Sequence, residues 1–521
     1  MGWSPAFLSI LERVHVQLVF AVEIFQTHLG EGVGGSYGVF SSSPMSGALQ
    51  WLDPKTIQVG GQSVTPQSWT YGAAPWRFAL VDLDTPTAAA VLRKGTMLRL
   101  RAGLAGSALA DMEIIQAGAV SRVKMSPGRL DVEVWDLVRS LNSRITSNSI
   151  TTPLFYGLSG GTTLNANYTA LPPDGTLTVI STSGFDRETG GSGMIKITPT
   201  TGDPFFLTYT GTTGTTFTGL STSGQLGTVN VAAVTGDAVA EVAYLADRHD
   251  TMTAKILMST GIGSNNSTLD TYPKSWGYAL QDSSVVDHND IRSTWGSSVL
   301  PPSSGSDSWT LAVEAEQASG ISFLQSLLSP AGAWVTMRQG RLTVRWCQDI
   351  QTGANLKVHS GIQITDRDSV EGSESVEWFS LDVAGEFNEL LVTSATGTTL
   401  QSATLTATLP AKTDATSDVS DRVFSNETAI REAYRDRLWP WLSRIPESIT
   451  LTLAGCWWAQ LCPGDIVSYT SDRLHGRLLT TVNGYAAKLC MVTQVTPDWW
   501  AMSTKISMAC LPEDDADEWG V

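Results

Sequence analysis

The chain has 521 residues, 42% of them hydrophobic and only 16% charged, which is enough for about three domains with well-buried cores and unlike a disordered chain. Its formal net charge of -17 excludes the broad basic footprint of a nucleic-acid-binding protein. Five cysteines make no disulfide framework in so long a chain, no run reaches the ~18 apolar residues of a membrane span, and Glu12 and Arg13 stand where the apolar core of a signal peptide would run, so folding in a cytoplasm is expected.

Residues 14–25 alternate, with Val14, Val16, Leu18, Phe20, Val22 and Ile24 on one face, which predicts a strand. A Gly/Ser-rich loop covers 30–46. Residues 56–64, interrupted at Gly60-Gly61, predict a hairpin, and 77–83 another strand. Thr85-Pro86 opens a short Ala-rich helix that runs to Leu92 and is ended by Gly95. Strands over 96–101, 112–124 and 129–137 then form an antiparallel meander with a turn at Ser126-Pro127-Gly128, ending in a helical turn at 136–141.

From 151 to 236 Thr, Gly and Ser dominate, with short strands at 177–180, 193–197, 205–209 and 228–234. Phe185, Phe205, Phe206, Tyr209 and Phe217 offer core material that a disordered linker lacks, so a β-rich insertion is expected. An amphipathic helix follows at 250–259, carrying Met252, Ile256 and Leu257 on one side. Then come a helix at 321–328 and strands at 334–337 and 342–346 around Gln339-Gly340, with further strands within 371–393. Residues 426–439 read as a helix, with Glu427 near its start, Arg435 and Arg437 toward its end, and Pro440 and Pro446 at its close. The last part is again β, at 448–453, 465–470, 489–495 and 504–510, before an acidic run from Glu513 to Glu518.

Two distant segments repeat one pattern. Gly95-Thr96-Met97-Leu98-Arg99-Leu100, Ala119-Val120-Ser121-Arg122-Val123 and Leu130-Asp131-Val132-Glu133-Val134 correspond to Gly464-Asp465-Ile466-Val467-Ser468-Tyr469, Met491-Val492-Thr493-Gln494-Val495 and Thr504-Lys505-Ile506-Ser507-Met508. The period is too long for a solenoid, and a duplicated small β-barrel is expected. The fold class is therefore mainly β with a few helices (α+β). It divides into a first barrel at 1–150, a Gly/Thr-rich β insertion at 151–236, an α+β middle segment at 237–370 and a second barrel with an acidic tail at 371–521.

Chemical motifs are sparse. Gly157-Leu158-Ser159-Gly160-Gly161 matches G-x-S-x-G, but a nucleophile elbow needs a strand before it and a helix after it, and a Gly/Thr loop follows here. The six histidines form no His-Glu-x-x-His, and there is no P-loop or dinucleotide fingerprint. Asp282 and Asp287 are a carboxylate pair whose use in glycoside hydrolysis depends on spatial placement. Cys456, Cys462, Cys490 and Cys510 cluster near the end. Four thiolates hold zinc or an iron–sulfur cluster, yet the spacing lacks C-x-x-C and free cysteine is a core residue. Core packing is the expected role and a metal the weaker alternative. No catalytic, cofactor-binding or metal residue is assigned, and no cofactor is expected.

The order of several segments resembles the tail hub family of phage baseplate and tail-tip proteins, which includes late control proteins and secretion-spike hubs. The segments are Lys94-Gly95-Thr96-Met97-Leu98-Arg99-Leu100, Gly118-Ala119-Val120-Ser121-Arg122-Val123, Val134-Trp135-Asp136-Leu137-Val138, Tyr272-Pro273-Lys274-Ser275-Trp276-Gly277-Tyr278, Ala333-Trp334-Val335-Thr336, Gln339-Gly340-Arg341-Leu342, Phe387-Asn388-Glu389-Leu390 and Pro463-Gly464-Asp465-Ile466-Val467. The resemblance implies a structural virion protein and not an enzyme: a minor tail protein or baseplate hub that closes the distal tail tube, attaches tip or fibre proteins and leaves a channel for DNA ejection. It implies a homotrimer, in which two barrels per chain imitate six-fold symmetry. The implied partners are the tail tube or distal tail protein, the tape measure protein, a central fibre or receptor-binding protein, and DNA in transit. The implied location is the tail tip, after assembly in the host cytoplasm. A tail-associated hydrolase of cell-wall carbohydrate and a receptor-binding adhesin are the competing expectations.

Overall fold

The computed structural model describes residues 3–12, 17–26, 38–46, 48–66, 69–81, 91–141, 160–170, 175–185, 193–202, 204–221, 231–247, 309–313, 320–328, 332–347, 358–377, 389–393, 399–404, 416–420, 423–424, 446–474 and 484–510, with Thr253, Ile256, Leu257, Val286, Asp287, Leu438 and Trp441 as single positions or pairs. Among them the class is mainly β, as predicted.

The first segment opens on a helix, Pro5–Leu11, with Ser4 as its cap, its hydroxyl accepting from the Phe7 N–H at 3.2 Å, and Pro5 in the first turn. Strands β1 (Leu18–Gln26), β2 (Val39–Ser41), β3 (Leu52–Gln58), β4 (Gln62–Thr65), β5 (Thr70–Ala73), β6 (Trp76–Val81), β7 (Met97–Leu104), β8 (Glu113–Ser126) and β9 (Arg129–Asp136) follow. Seven of them make one sheet in the order β2-β1-β7-β8-β9-β6-β3. Each of the seven sends apolar side chains to a shared core, among them Phe20, Phe40, Leu52, Trp76, Leu98 and Val120. The sheet thus curls around that core, but its strand order has two ends, so the closed barrel expected from the sequence is not formed among the described residues. Pro54 lies in β3 and the register against β6 breaks between Asp53 and Gln58. A proline has no N–H for a ladder and confines a strand to an edge.

Strands β10 (Gly161–Thr163), β11 (Tyr168–Ala170), β12 (Thr176–Thr178), β13 (Gly193–Thr198), β14 (Phe205–Tyr209), β15 (Gly211–Thr212), β16 (Thr216–Thr218), β17 (Val231–Ala233) and β18 (Ala238–Asp247) build the Gly/Thr-rich segment. Its core is self-contained. Leu164, Leu177, Phe185, Ile195, Leu207, Phe217 and Val239 pack on one another, with Phe185 edge-on to Phe217 at 5.2 Å. The chain enters and leaves at one neck: the Glu241 N–H donates to the Gly160 carbonyl at 2.7 Å, and the Gly160 N–H donates to the Glu241 carboxylate at 3.0 Å.

In the middle, β18 continues beyond the neck to pair with β19 (Trp309–Val313). After the helix Gly320–Leu328 comes a hairpin of β20 (Ala333–Arg338) and β21 (Arg341–Trp346). Gln339 at φ 50° and Gly340 at φ 73° give it a two-residue turn of the kind that matches strand twist. The helices predicted at 85–92, 250–259 and 426–439 lie outside the described residues, except Val91, Thr253, Ile256, Leu257 and Leu438, which are helical, and Leu92, which is not.

The last segment holds β22 (Val358–Thr365), β23 (Ser375–Glu377), β24 (Glu389–Thr393), β25 (Thr399–Thr404), β26 (Thr416–Ser420), β27 (Val423–Phe424), β28 (Glu447–Ala454), β29 (Ile466–Ser471), β30 (Tyr485–Asp498) and β31 (Ser503–Cys510). Its sheet runs β22-β29-β30-β31-β28-β23, around a core that includes Ile364, Leu451, Tyr469, Val492 and Ile506. This sheet is also open, so the second barrel is corrected in the same way. A second correction concerns Gly60-Gly61, where the predicted hairpin is absent. β3 pairs with β6, whereas β4 pairs with β5 and then with β30. The two glycines mark a crossing between sheets, because a methyl group on Gly60 would overlap the Ala74 carbonyl.

Two outcomes are expected from the Gly/Thr-rich segment. Replacing 161–240 by a short glycine linker leaves the remaining chain with a cooperative unfolding transition, as followed by circular dichroism; loss of that transition would place the segment in the main core. The second concerns acid. The Thr200 hydroxyl, together with the Val234 and Thr200 N–H groups, holds the Asp237 carboxyl below its ordinary range. A depressed carboxylate stabilises the folded state above its unfolded pKa of about 3.9 and loses that contribution as pH falls through the lower folded value. The melting temperature of the isolated segment therefore drops below pH ~4, and Asp237→Asn starts lower and drops less.

Candidate functional site: the junction of the two repeats

The sequence repeat is a structural repeat. Five strands of the first sheet, β7-β8-β9-β6-β3, and five of the last, β29-β30-β31-β28-β23, follow one spatial order. The Gly95 N–H donates to the Val120 carbonyl at 2.9 Å, and the Val120 N–H returns a bond to Thr96 at 2.8 Å; Gly464, Val492 and Asp465 make the same pair, both at 2.8 Å. Gly95 at φ 87° and Gly464 at φ 102° both need the left-handed region. Even the bulge is shared, since register shifts between Val120 and Arg122 in one repeat and between Val492 and Gln494 in the other. The Thr96 hydroxyl accepts from the Arg93 N–H at 3.3 Å, and the Asp465 carboxylate accepts from the Cys462 N–H at 3.0 Å, so the same slot is neutral in one copy and ionic in the other.

Between the repeats the β20–β21 hairpin acts as a wedge. On one side Trp334 stacks on Trp69 of the β4–β5 hairpin at 5.7 Å and 8°, while Trp441 meets Trp69 edge-on at 5.8 Å. On another, Arg345 approaches Asp465 at 3.4 Å, with both side chains buried. A Cβ on Gly464 would come within 2.8 Å of both Arg345 and Trp334, so the repeat's glycine also gives the wedge its room. Tyr71 donates to the Asp136 carboxylate at 2.6 Å, and Asp136 also caps the helix Leu137–Ser140 by accepting from the Arg139 N–H at 2.8 Å. Burial raises the Asp136 carboxyl, against the lowering effect of these two donors; burial and the neighbouring carboxylate raise Tyr71. The amino terminus closes the joint: Trp3 donates to the Ile114 carbonyl at 2.9 Å and meets Trp499 edge-on at 6.0 Å.

The chemical motifs do not converge. Ser159 and Asp282 lie outside the described residues, and Gly161 begins a strand where a nucleophile elbow needs a helix. Asp287 is buried, with Arg341 at 3.7 Å. The four late cysteines spread over the joint: Cys456 belongs to the first core, Cys490 and Cys510 to the last, and Cys462 to the Gly464 turn. Burial pushes the Cys456 thiol up to about 12. Hydrogen bonding to Cys490 and burial hold Cys510 well above its ordinary value. Among the described residues no trio of His, Cys, Asp or Glu is placed to hold a metal ion, and no helix is long and apolar enough to cross a membrane.

Sequence reasoning missed one feature, a groove of about 510 Å³ on the outer face of β3, β6, β8 and β9. It presents Lys55, Arg77, Arg122, Lys124 and Arg129 against Asp131 and Glu133. Glu133 holds Arg77 and Asp131 holds Arg129, each at 2.8 Å. Residues two apart on a strand share a face, so the spacing of Arg122 and Lys124 on β8, beside the alternation of Arg129, Asp131 and Glu133 on β9, was the available signal.

No family model and no curated protein matches the chain. Among solved structures it is similar to tail proteins. One is the tail protein from Neisseria meningitidis MC58, at 10% identity over 96% of this chain and 97% of that one, with a TM-score of 0.38. Another is the 43 kDa tail protein of prophage MuSo2 from Shewanella oneidensis, at 9% identity over 96% and 100%, with a TM-score of 0.36. A third is a prophage tail protein from Listeria monocytogenes EGD-e, at 8% identity over 94% of each chain, with a TM-score of 0.35.

Tyr71→Phe tests the joint. It leaves the buried Asp136 carboxylate short of a donor and is expected to lower stability by about 1–3 kcal/mol, read as an earlier urea midpoint with an unchanged slope.

Proposed function

We propose that the chain is a structural hub of a phage tail, placed at the tail tip, where it closes the tube and carries tip or fibre proteins. The observation that carries this reading is the duplication with one register. A subunit holding two like units side by side, locked by a shared strand ladder and a tryptophan wedge, suits a ring in which three chains supply six similar positions. That ring meets a six-fold tube on one side and a three-fold tip on the other. The resemblance of the sequence segments to tail hub proteins, given above, points the same way. The tube, the tape measure protein and a fibre or receptor-binding protein are the partners of this reading, with DNA passing through the ring. An excess of acid over base, at -17 per chain, favours a lumen that does not hold a phosphate backbone.

A symmetry-resolved image of the particle that carries the chain tests the proposal. The expected result is three copies at the distal end of a tail tube, with the six repeat units arranged around one axis and more carboxylates than Lys and Arg facing it. A single copy, or a copy set at the periphery as an adhesin, overturns it.

A further inference from the structure

The two repeats differ at one edge. In the last sheet β30 outruns β29: Ile466 to Ser471 cover it up to Met491, and beyond the bulge Gln494 and Val495 take Ser63 and Gln62 of β4 on that side. In the first sheet β8 outruns β7 in the same way, with β7 reaching Ala119. Beyond the matching bulge, Arg122 and Val123 stand where Gln494 and Val495 stand. On that side no strand pairs with residues 121–126 among the described residues.

From this we infer that the edge of β8 at 121–126 is a docking site for a strand from a second copy of this chain, seated as β4 is seated on β30. The inference deepens the ring reading above and rests on it for the number of copies. Three observations favour a copy of the chain as occupant. The intramolecular pairing of β4 with β30 shows that this chain supplies a strand to this kind of edge. The face beside the edge is the basic groove, where Arg122 and Lys124 are exposed and lie outside the two ion pairs, and a copy of an acidic chain complements it in charge. Met125, 65% exposed, offers apolar surface at the end of the same edge. Charged residues on an edge strand also serve to repel stray strands, and that reading predicts a chain that stays alone.

The full chain, with a photo-crosslinking amino acid at position 122, is mixed from isotopically labelled and unlabelled batches, and its mass is measured across concentration at low and high salt. Crosslinks joining labelled to unlabelled peptides are expected. Arg122→Glu with Lys124→Glu is expected to weaken self-association at least tenfold, about the weakening that high salt produces. Both residues are exposed, and an unchanged circular dichroism melt separates lost docking from lost folding. A chain that is monomeric throughout overturns the inference. So does self-association that ignores the double substitution and gives no crosslink at 122; that result leaves the hub reading standing on another interface. Retention of a duplex DNA fragment by the unassociated chain, abolished by the same substitutions, overturns it in favour of a polyanion site.

Discussion

The architecture depends on a short ladder between the two ends of the chain. Gln62 and Ser63 pair with Val495 and Gln494, and this contact takes the β4–β5 hairpin out of the sheet that its neighbours β3 and β6 belong to. Trp69 is thereby delivered to Trp334 and Trp441, and Tyr71 to Asp136. The stack and the buried hydrogen bond follow from a backbone pairing that ignores side-chain identity. The two sheets are consequently joined by shared packing: Trp499 and Cys456 of the last segment complete the core of the first.

The paired glycine turns show how a duplicated unit acquires direction. The backbone bonds of Gly95 and Gly464 are interchangeable, but where the first repeat has Thr96 the second has Asp465, and Arg345 reaches it from the wedge. A buried ion pair contributes little net stability, whereas loss of one partner costs several kcal/mol, roughly 3–5. Its value lies in register. The wedge hairpin fits the second repeat in one position, and the first repeat offers a hydroxyl in the equivalent slot, which gives an arginine no countercharge.

Much of this was legible in the sequence where periodicity and turn chemistry act locally. The β8–β9 meander, the Gln339-Gly340 hairpin, the Phe-rich insertion core and the duplication itself are all written in alternation and glycine placement. The helix Pro5–Leu11 was not legible beyond its Ser4-Pro5 start signal, because seven residues make only two turns and are too few to establish a helical period. Two kinds of information were not legible. Whether a curled sheet closes depends on the ladder at its ends, and Pro54 in β3 was the only local hint. That Gly60-Gly61 is a crossing and not a turn depends on the Ala74 carbonyl and Thr496, residues that sequence reading does not bring near. The groove was hidden for a different reason: a net charge averages over the chain, and five cations on one face disappear inside -17.

The ladder between β4 and β30 also sets an order in time. A ribosome adds about 5–20 residues per second, so the hairpin at 62–73 emerges roughly 20–85 seconds before its partner strand. All strands of the first sheet are available to one another in that interval, whereas the native partners of Trp3, Phe20 and β4, which are Trp499 and β30, are still to be made. Nascent chains on one message carry this unsatisfied hairpin side by side, and a finished β30 from a leading chain presents the same edge to a trailing neighbour's hairpin as to its own. Domain exchange between siblings is therefore a route that this topology leaves open, and slow translation ahead of residue 485 lengthens the period of exposure.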